Sequence, residues 1–245
     1  MNLLKGIYTF FAITLFIVLF LIFFPLFLIP VYFPRQFKLV GVLNRWWAWL
    51  FFPMIGMPWK VEYRLKLDPK KVYIFCPNHF SYLDIAIMGL NHHNTIFVGK
   101  SAMEKIPLFG FMYRKLHITV DREKLSSRYS TFTRSLAALD QGKSLVIFPE
   151  GGVVTHLPPH MGRFKDGAFR AAIERKIQLV PVTIPYNWII LPDAKYMLLN
   201  WKPLKLIFHE PIDPSEYTLK NVDMFKEKVY SIIDTELKKH FPQKD

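Results

Sequence analysis

The 245-residue chain has one cysteine, Cys76, and no acidic residue before Glu62. The first scarcity excludes an intramolecular disulfide and a cysteine-ligated zinc cluster, and it fits a reducing compartment. The second leaves Lys5, Arg35, Lys38, Arg45 and Lys60 without a negative neighbour in sequence, in a chain of net charge +13 and pI near 9.7. Such a surface favours phosphate-bearing partners. Charge of either sign is missing from residues 6 to 34, GIYTFFAITLFIVLFLIFFPLFLIPVYFP. The part before Pro25 already approaches the roughly 20 residues that a spanning helix needs. The run is far longer than the about 7 to 15 apolar residues of a secretory leader and lacks a small-residue cleavage site, which argues against a cleavable signal. The chain also has no internal repeat, no low-complexity linker and no G-x-S-x-G elbow, and the last absence weakens a thioesterase or lipase reading.

Nucleic acid and anionic lipid both offer phosphate. An aromatic content of 16% and a long uncharged run beside the basic residues favour the lipid bilayer as partner and exclude nucleic acid. A second apolar stretch, 39 to 59, is interrupted by Asn44 and Arg45 and carries Trp46, Trp47 and Trp49. Indoles beside arginine prefer the headgroup layer, so this stretch is expected to lie in the interface or to return partway; the alternative is a core helix of the following domain. Residues 1–59 are thus expected to be membrane-anchoring helices, kinked at Pro25 and Pro30, ahead of a domain at 60–245 that folds without them. Lys5 on one side, with Arg35, Lys38 and Arg45 on the other, biases that domain toward the cytoplasmic face of the inner membrane.

From Lys60 onward, short β-rich runs at 61–67, 71–76, 95–99, 143–149, 177–184 and 204–210 alternate with amphipathic ones. This predicts an α/β fold, a mixed and mainly parallel sheet covered by helices, preceded by the hydrophobic N-terminal helices. Leu125, Tyr129, Phe132, Leu136 and Leu139 recur at helical spacing, with Ser126 or Ser127 as start signal and Gly142 as stop. A final helix over 222–240 is expected to bury Phe225, Val229, Ile232 and Leu237 and to turn Lys226, Lys228, Lys238 and Lys239 to solvent.

The stretch CPNHFSYLDIAIM, residues 76 to 88, holds His79 and Asp84 where a strand gives way to a helix. Five residues apart on one helix they would point about 140° away from each other. They meet only if His79 precedes the helix. Pro77 and Asn78 supply the break, Ser81 can cap, and Asp84 then reaches back to the imidazole. A carboxylate-held imidazole has a fixed tautomer and raised basicity, which suits a general base acting on an alcohol. A core histidine satisfied by an aspartate is the bland alternative. Cys76 ends an apolar strand, where thiols are commonly inert packing. His156 and His160 are separated by Pro158 and Pro159, which prevents the helix a metal pair would need, so no metal is expected. His92, His93, His117 and His209 read as ordinary loop or strand residues.

NHFSYLD resembles the NHxxxxD-type motif of the glycerolipid acyltransferases, the family that includes 1-acylglycerol-3-phosphate acyltransferase. LHITVDR (116–122), IFPEGG (147–152) and LVPVTI (179–184) resemble that family's later blocks in order. KSAMEKIPLFG (100–110) and GRFKDGAF (162–169) are similar to its Lys-through-Pro-x-x-Gly segment and its basic patch. The resemblance covers roughly 70–210. It implies that His79 and Asp84 are catalytic and that Arg122, Glu150, Gly151, Lys100, Arg163 and Lys165 bind substrate. The implied reaction moves a fatty acyl chain from acyl-CoA or acyl carrier protein to the free hydroxyl of a lyso-lipid acceptor, 1-acyl-sn-glycerol-3-phosphate above all, with no cofactor. Leu116 replaces a usual glycine. Gly152, Val153 and Val154 stand where the family continues with a hydroxyl residue and an arginine, so Arg163 and Lys165 would supply the missing charge, or the acceptor is a phosphate-free lyso-aminolipid. A surface ion pair of Arg122 with Asp121 and a structural turn carboxylate at Glu150 remain the alternatives for those residues. A noncatalytic anionic-lipid-binding protein would share the charge and apolarity but not the ordered motifs.

Overall fold

A computed structural model describes residues 2–154, 158–194 and 196–241, so His156 of the His156–His160 spacing lies outside the described residues. The uncharged run forms α1 (Asn2–Tyr32), one 31-residue helix with both prolines inside it, and among the described residues it is the one helix long and apolar enough to cross a membrane. After a short 3₁₀ turn at Pro34–Gln36 comes α2 (Lys38–Met54). Helix α2 buries Val40, Gly41, Leu43, Ala48, Phe51 and Phe52, while Trp46, Trp49, Leu50 and Met54 face outward. Ala48, Phe51 and Phe52, with Ala12 and Leu19 of α1, share one core cluster with Phe75, Phe97, Val146 and Phe208 of the sheet. Tyr8 donates to Ile55 O at 2.8 Å, Thr9 Oγ1 accepts Leu199 N–H at 2.9 Å, and Arg45 donates to the carbonyls of Asn91 and His92. Residue 60 therefore does not divide two cores. A fragment beginning there would lose the packing of α1 and α2 against one face of its sheet.

The sheet has seven strands: β1 (Trp59–Tyr63), β2 (Ile74–Pro77), β3 (Thr95–Lys100), β4 (Ile118–Val120), β5 (Ser144–Ile147), β6 (Leu179–Thr183) and β7 (Leu204–Phe208). Their order is β1-β7-β6-β2-β5-β3-β4, and every neighbouring pair is parallel except β6 with β7. Ile74 of β2 sits between Leu145 of β5 and Leu179 of β6, which makes β2 central and explains its fully buried, unalternating sequence. Strand β4, inside the stretch 116–122, was not among the sequence-expected strands; three residues are too short for a period-2 signal.

The remaining helices are α3 (Leu83–Ile87), α4 (Phe109–Leu116), α5 (Leu125–Asp140), α6 (Gly167–Arg175), α7 (Asn187–Ile190) and α8 (Val222–His240). Helix α5 is rotated from its expected face. It buries Thr131, Ser135, Ala138 and Leu139, leaves Leu125 and Tyr129 about three-quarters exposed, and ends at Gly142 with φ +77°. No side chain caps its start; the Ser127 hydroxyl instead accepts the Asp121 N–H. In α8, Ile233 is buried in place of Ile232. Lys226 is not turned to solvent but lies between Asp166 and Asp223, 2.6 Å from each.

Candidate active site

Four parallel strands, β2, β5, β3 and β4, lie side by side, and the sequence-selected residues follow their carboxyl ends, where a parallel sheet leaves a crevice. His79 and Asp84 come after β2, Lys100 ends β3, Arg122 comes after β4, and Glu150 and Gly151 come after β5. His79 precedes α3 and Asp84 is in its first turn. One oxygen of Asp84, Oδ2, accepts from His79 Nδ1 at 3.0 Å and from the backbone N–H groups of Phe80 and Ser81 at 2.8 and 2.9 Å. With Nδ1–H donating to this fully buried carboxylate, Nε2 keeps its lone pair for a substrate proton. Ser81 serves less as a helix cap than as a brace: its hydroxyl accepts the Leu83 N–H and donates to Leu191 O at 2.8 Å.

Asn78, expected only to help break the helix, and Phe148, which the sequence did not mark, complete the turn. The Asn78 carboxamide pairs with both backbone groups of Ile184, donating to its carbonyl at 3.0 Å and accepting its N–H at 2.7 Å, so the histidine turn is tied to the end of β6. The Phe148 ring stacks on the imidazole with centroids 3.9 Å apart. Asn78 adjoins the histidine in sequence, yet only the partner 106 residues away reveals its task.

Glu150 lies beneath this turn. Its Oε1 accepts the His79 N–H at 2.7 Å and its Oε2 the Gly162 N–H at 2.8 Å, so both oxygens are engaged by backbone. Burial pushes its pKa up to about 8; the two N–H donors oppose the shift and the charge of Asp84 adds to it. That geometry favours the turn-carboxylate reading of Glu150.

Arg122 makes no ion pair with Asp121, whose carboxylate is 3.6 Å from Lys124 instead. It lines a cavity of about 830 Å³ over the ends of β3, β4 and β5, together with Phe148, Gly151, Arg163, Lys165 and, from the helix side, Arg128 and Arg170. Among the described residues none of these four arginines and one lysine has an acid within 4 Å. Burial lowers the Arg122 pKa from its ordinary value, the cost of holding an unpaired guanidinium half out of water. Gly151 adopts φ +79°, and a Cβ on Gly152 would lie 3.3 Å from the Arg122 guanidinium. The glycine that departs from the motif at 152 is thus the place where Arg122 rests. Lys100 is exposed at the carboxyl end of β3 and lines neither this cavity nor the second one.

The second cavity, about 460 Å³, is apolar. Phe16 and Phe20 of α1, Trp47 and Phe51 of α2, Tyr82 and Leu83 beside the histidine turn, and Leu191 and Leu199 contribute to its wall. His79 lines neither cavity itself; its stacking partner Phe148 walls the cationic one, and Tyr82 and Leu83, just after it in the chain, wall the apolar one.

The profile of the Acyltransferase family matches residues 59–185. A 1-acyl-sn-glycerol-3-phosphate acyltransferase of Haemophilus influenzae is 32% identical over 194 residues, 75% of each chain. The chain belongs to the acyltransferase family. It is an O-acyltransferase of the PlsC-like kind, and its mixed, mainly parallel sheet follows that of a crystal structure titled as the 1-acyl-sn-glycerophosphate acyltransferase PlsC from Thermotoga maritima. That likeness has a TM-score of 0.79 at 17% identity and covers 98% of this chain and 99% of the other. A lyso-ornithine lipid O-acyltransferase of Pseudomonas aeruginosa is 28% identical over 153 residues, 62% of this chain and 57% of the relative.

In this acyltransferase Cys76 is fully buried in β2, and burial pushes its thiol well above the ordinary range, which leaves no thiolate to act as nucleophile. His117 and His209 are held low, to about 4, chiefly by burial; the first accepts the Phe97 N–H and the second pairs with the Thr183 hydroxyl. Among the described residues no group of three or more His, Cys, Asp or Glu side chains is placed to hold a metal.

Proposed function

We propose that the protein transfers a fatty acyl chain from an acyl thioester, of coenzyme A or of acyl carrier protein, to the free hydroxyl of 1-acyl-sn-glycerol-3-phosphate at a membrane surface. The observation that carries the reading is the imidazole of His79, fixed by Asp84 and stacked on Phe148, whose neighbours wall a cavity with unpaired cations on one side and an apolar cavity walled partly by α1 on the other. His79 Nε2 takes the hydroxyl proton as the oxygen attacks the thioester carbonyl, and Asp84 stabilises the imidazolium that forms. The tetrahedral intermediate collapses with cleavage of the carbon–sulfur bond, and the imidazolium returns the proton to the departing thiolate. Arg122 holds the acceptor phosphate, with Arg163 and Lys165 at the rim in place of the cation absent after Gly151. The apolar cavity takes acyl chain, and α1 keeps the site at the cytoplasmic face of the inner membrane, where both lipid substrate and product reside.

A phosphate-free acceptor is the second reading, favoured by the Gly152–Val153–Val154 departure and by the lyso-ornithine lipid acylation for which the Pseudomonas relative is named. Direct competition decides between them. With one thioester donor, lysophosphatidic acid should receive most of the acyl chain in the presence of an equal amount of lyso-ornithine lipid. Acylation of the lyso-ornithine lipid alone would overturn the phosphate assignment and leave the acyl-transfer reading standing.

A further inference from the structure

The exposed apolar surface of α1 continues onto a segment that is not helical. Between a 3₁₀ turn at Ser101–Lys105 and α4, the chain makes a three-residue turn at Pro107–Leu108–Phe109, with the Phe109 N–H bonded to Pro107 O at 2.6 Å. Leu108 at its centre has φ 61° and ψ −55°, a γ-turn of the strained, positive-φ kind that L residues rarely adopt. Such strain persists only where the surroundings over-determine it. Gly110 does so: a Cβ there would lie 2.0 Å from Glu104 O, so the chain can pass this close only as glycine.

The outcome of that strain is to turn apolar side chains outward. Ile106 is 45% and Leu108 49% exposed, with exposed Lys105 before them and exposed Arg114 and Lys115 on the following helix. Behind them the Phe109 ring lies 5.9 Å from Phe20 of α1, whose neighbours Ile17 and Leu21 are 50% and 48% exposed. Phe109, Met103, Met112 and Tyr113 also wall the apolar cavity. A tip of exposed aliphatic residues, flanked by cations and continuous with an apolar helix, has the composition of an interfacial insertion.

We propose that the Ile106–Leu108 turn is a second lipid contact, which inserts into the headgroup–acyl boundary of an anionic bilayer beside α1 and forms the rim by which acyl chains enter the apolar cavity. The proposal rests on the membrane reading of α1 and names a further element of it.

Because Cys76 is fully buried, a cysteine introduced at the surface carries the one accessible thiol among the described residues. Leu108→Cys, Ile13→Cys on α1 and Thr133→Cys on the exposed side of α5 are labelled with an environment-sensitive fluorophore and bound to phosphatidylglycerol–phosphatidylethanolamine vesicles. The expected result is a blue shift and quenching by acyl-chain nitroxides at 108 and 13, and neither at 133. A label at 108 that stays in water while that at 13 enters lipid overturns the proposal alone; labels at both positions in water overturn the membrane reading with it. Leu108→Asp should raise the apparent acceptor KM about tenfold for acceptor in vesicles and leave it unchanged for a detergent-dispersed short-chain acceptor. Leu108→Gly removes the positive-φ strain, so its melting temperature should rise while activity on vesicle-borne acceptor falls. A rise in stability with full vesicle activity would show that the leucine serves only packing.

Discussion

Around His79 most polar groups are tied to protein: Asp84 takes three donors on Oδ2, while its Oδ1 is buried without a partner among the described residues, Glu150 takes two backbone N–H groups, and Asn78 spans both backbone groups of Ile184. In the neighbouring basic cavity, Arg122, Arg128, Arg163, Lys165 and Arg170 have no acid within 4 Å among the described residues. The first region is organised before any ligand arrives, as a proton-transferring group must be, because misorientation of an imidazole costs rate directly. The second is left electrostatically unsatisfied, and an anionic ligand is the partner that completes it. On the proposed function, side chains in the turn would govern kcat and side chains in the cavity acceptor binding.

The sharpest test of this division is His79→Ala, which should lower kcat by about 10² to 10⁴-fold with the fold intact, since His79 is proposed to act on a proton and its loop is held by backbone bonds that do not use the ring. Full turnover in that variant, measured with a thioester-release assay, would break the comparison at its centre. Asn78→Ala comes next. It strands the buried N–H and carbonyl of Ile184, so stability should fall by about 1 to 3 kcal/mol in chemical denaturation, and kcat should fall while acceptor KM holds. A change confined to KM would place Asn78 with the cavity instead.

Arg122→Ala tests the other region. Loss of a bond between a guanidinium and phosphate, worth about 1.5 to 3 kcal/mol, should lower kcat/KM for lysophosphatidic acid by about tenfold or more and leave the thioester KM unchanged. The last test concerns Glu150 and reads stability rather than turnover. Its folded pKa, near 8, lies above its ordinary 4.5, so the folded protein holds this proton more tightly than the unfolded chain. The resulting stabilisation is fully present below about 4.5 and is lost as pH rises through about 8. Melting temperatures of Glu150→Gln should lack this decline between those values; an identical slope in both proteins would assign the decline to other groups.

Much of the site could be read along the chain because its parts are short, local signals. The five-residue spacing of His79 and Asp84, with a proline and asparagine before them, is enough to require a histidine ahead of a helix and a carboxylate in its first turn. Glu150 could not be read so: a carboxylate in a Pro-Glu-Gly turn looks the same whether it faces substrate or, as here, two backbone N–H groups from separate loops. Helix α5 misled for a related reason. Leu125 and Tyr129 fit the apolar period, yet they line the open cavity, and small residues face the core where α5 meets α6 closely.

The sequence by itself determined the long uncharged helix, the alternation of strands and helices, the meeting of His79 with Asp84, and the inert burial of Cys76. Each follows from hydrophobic period, helix-start chemistry or chain length, which act over a few turns. Tertiary structure alone decided that α2 belongs to the core of the sheet, that Asn78 reaches Ile184, that Gly152 makes room for Arg122 and that Leu108 is held outward in a strained turn. These depend on which distant segments the sheet order brings into contact, and the free energy of such contacts resides in pairs of residues that no local window contains.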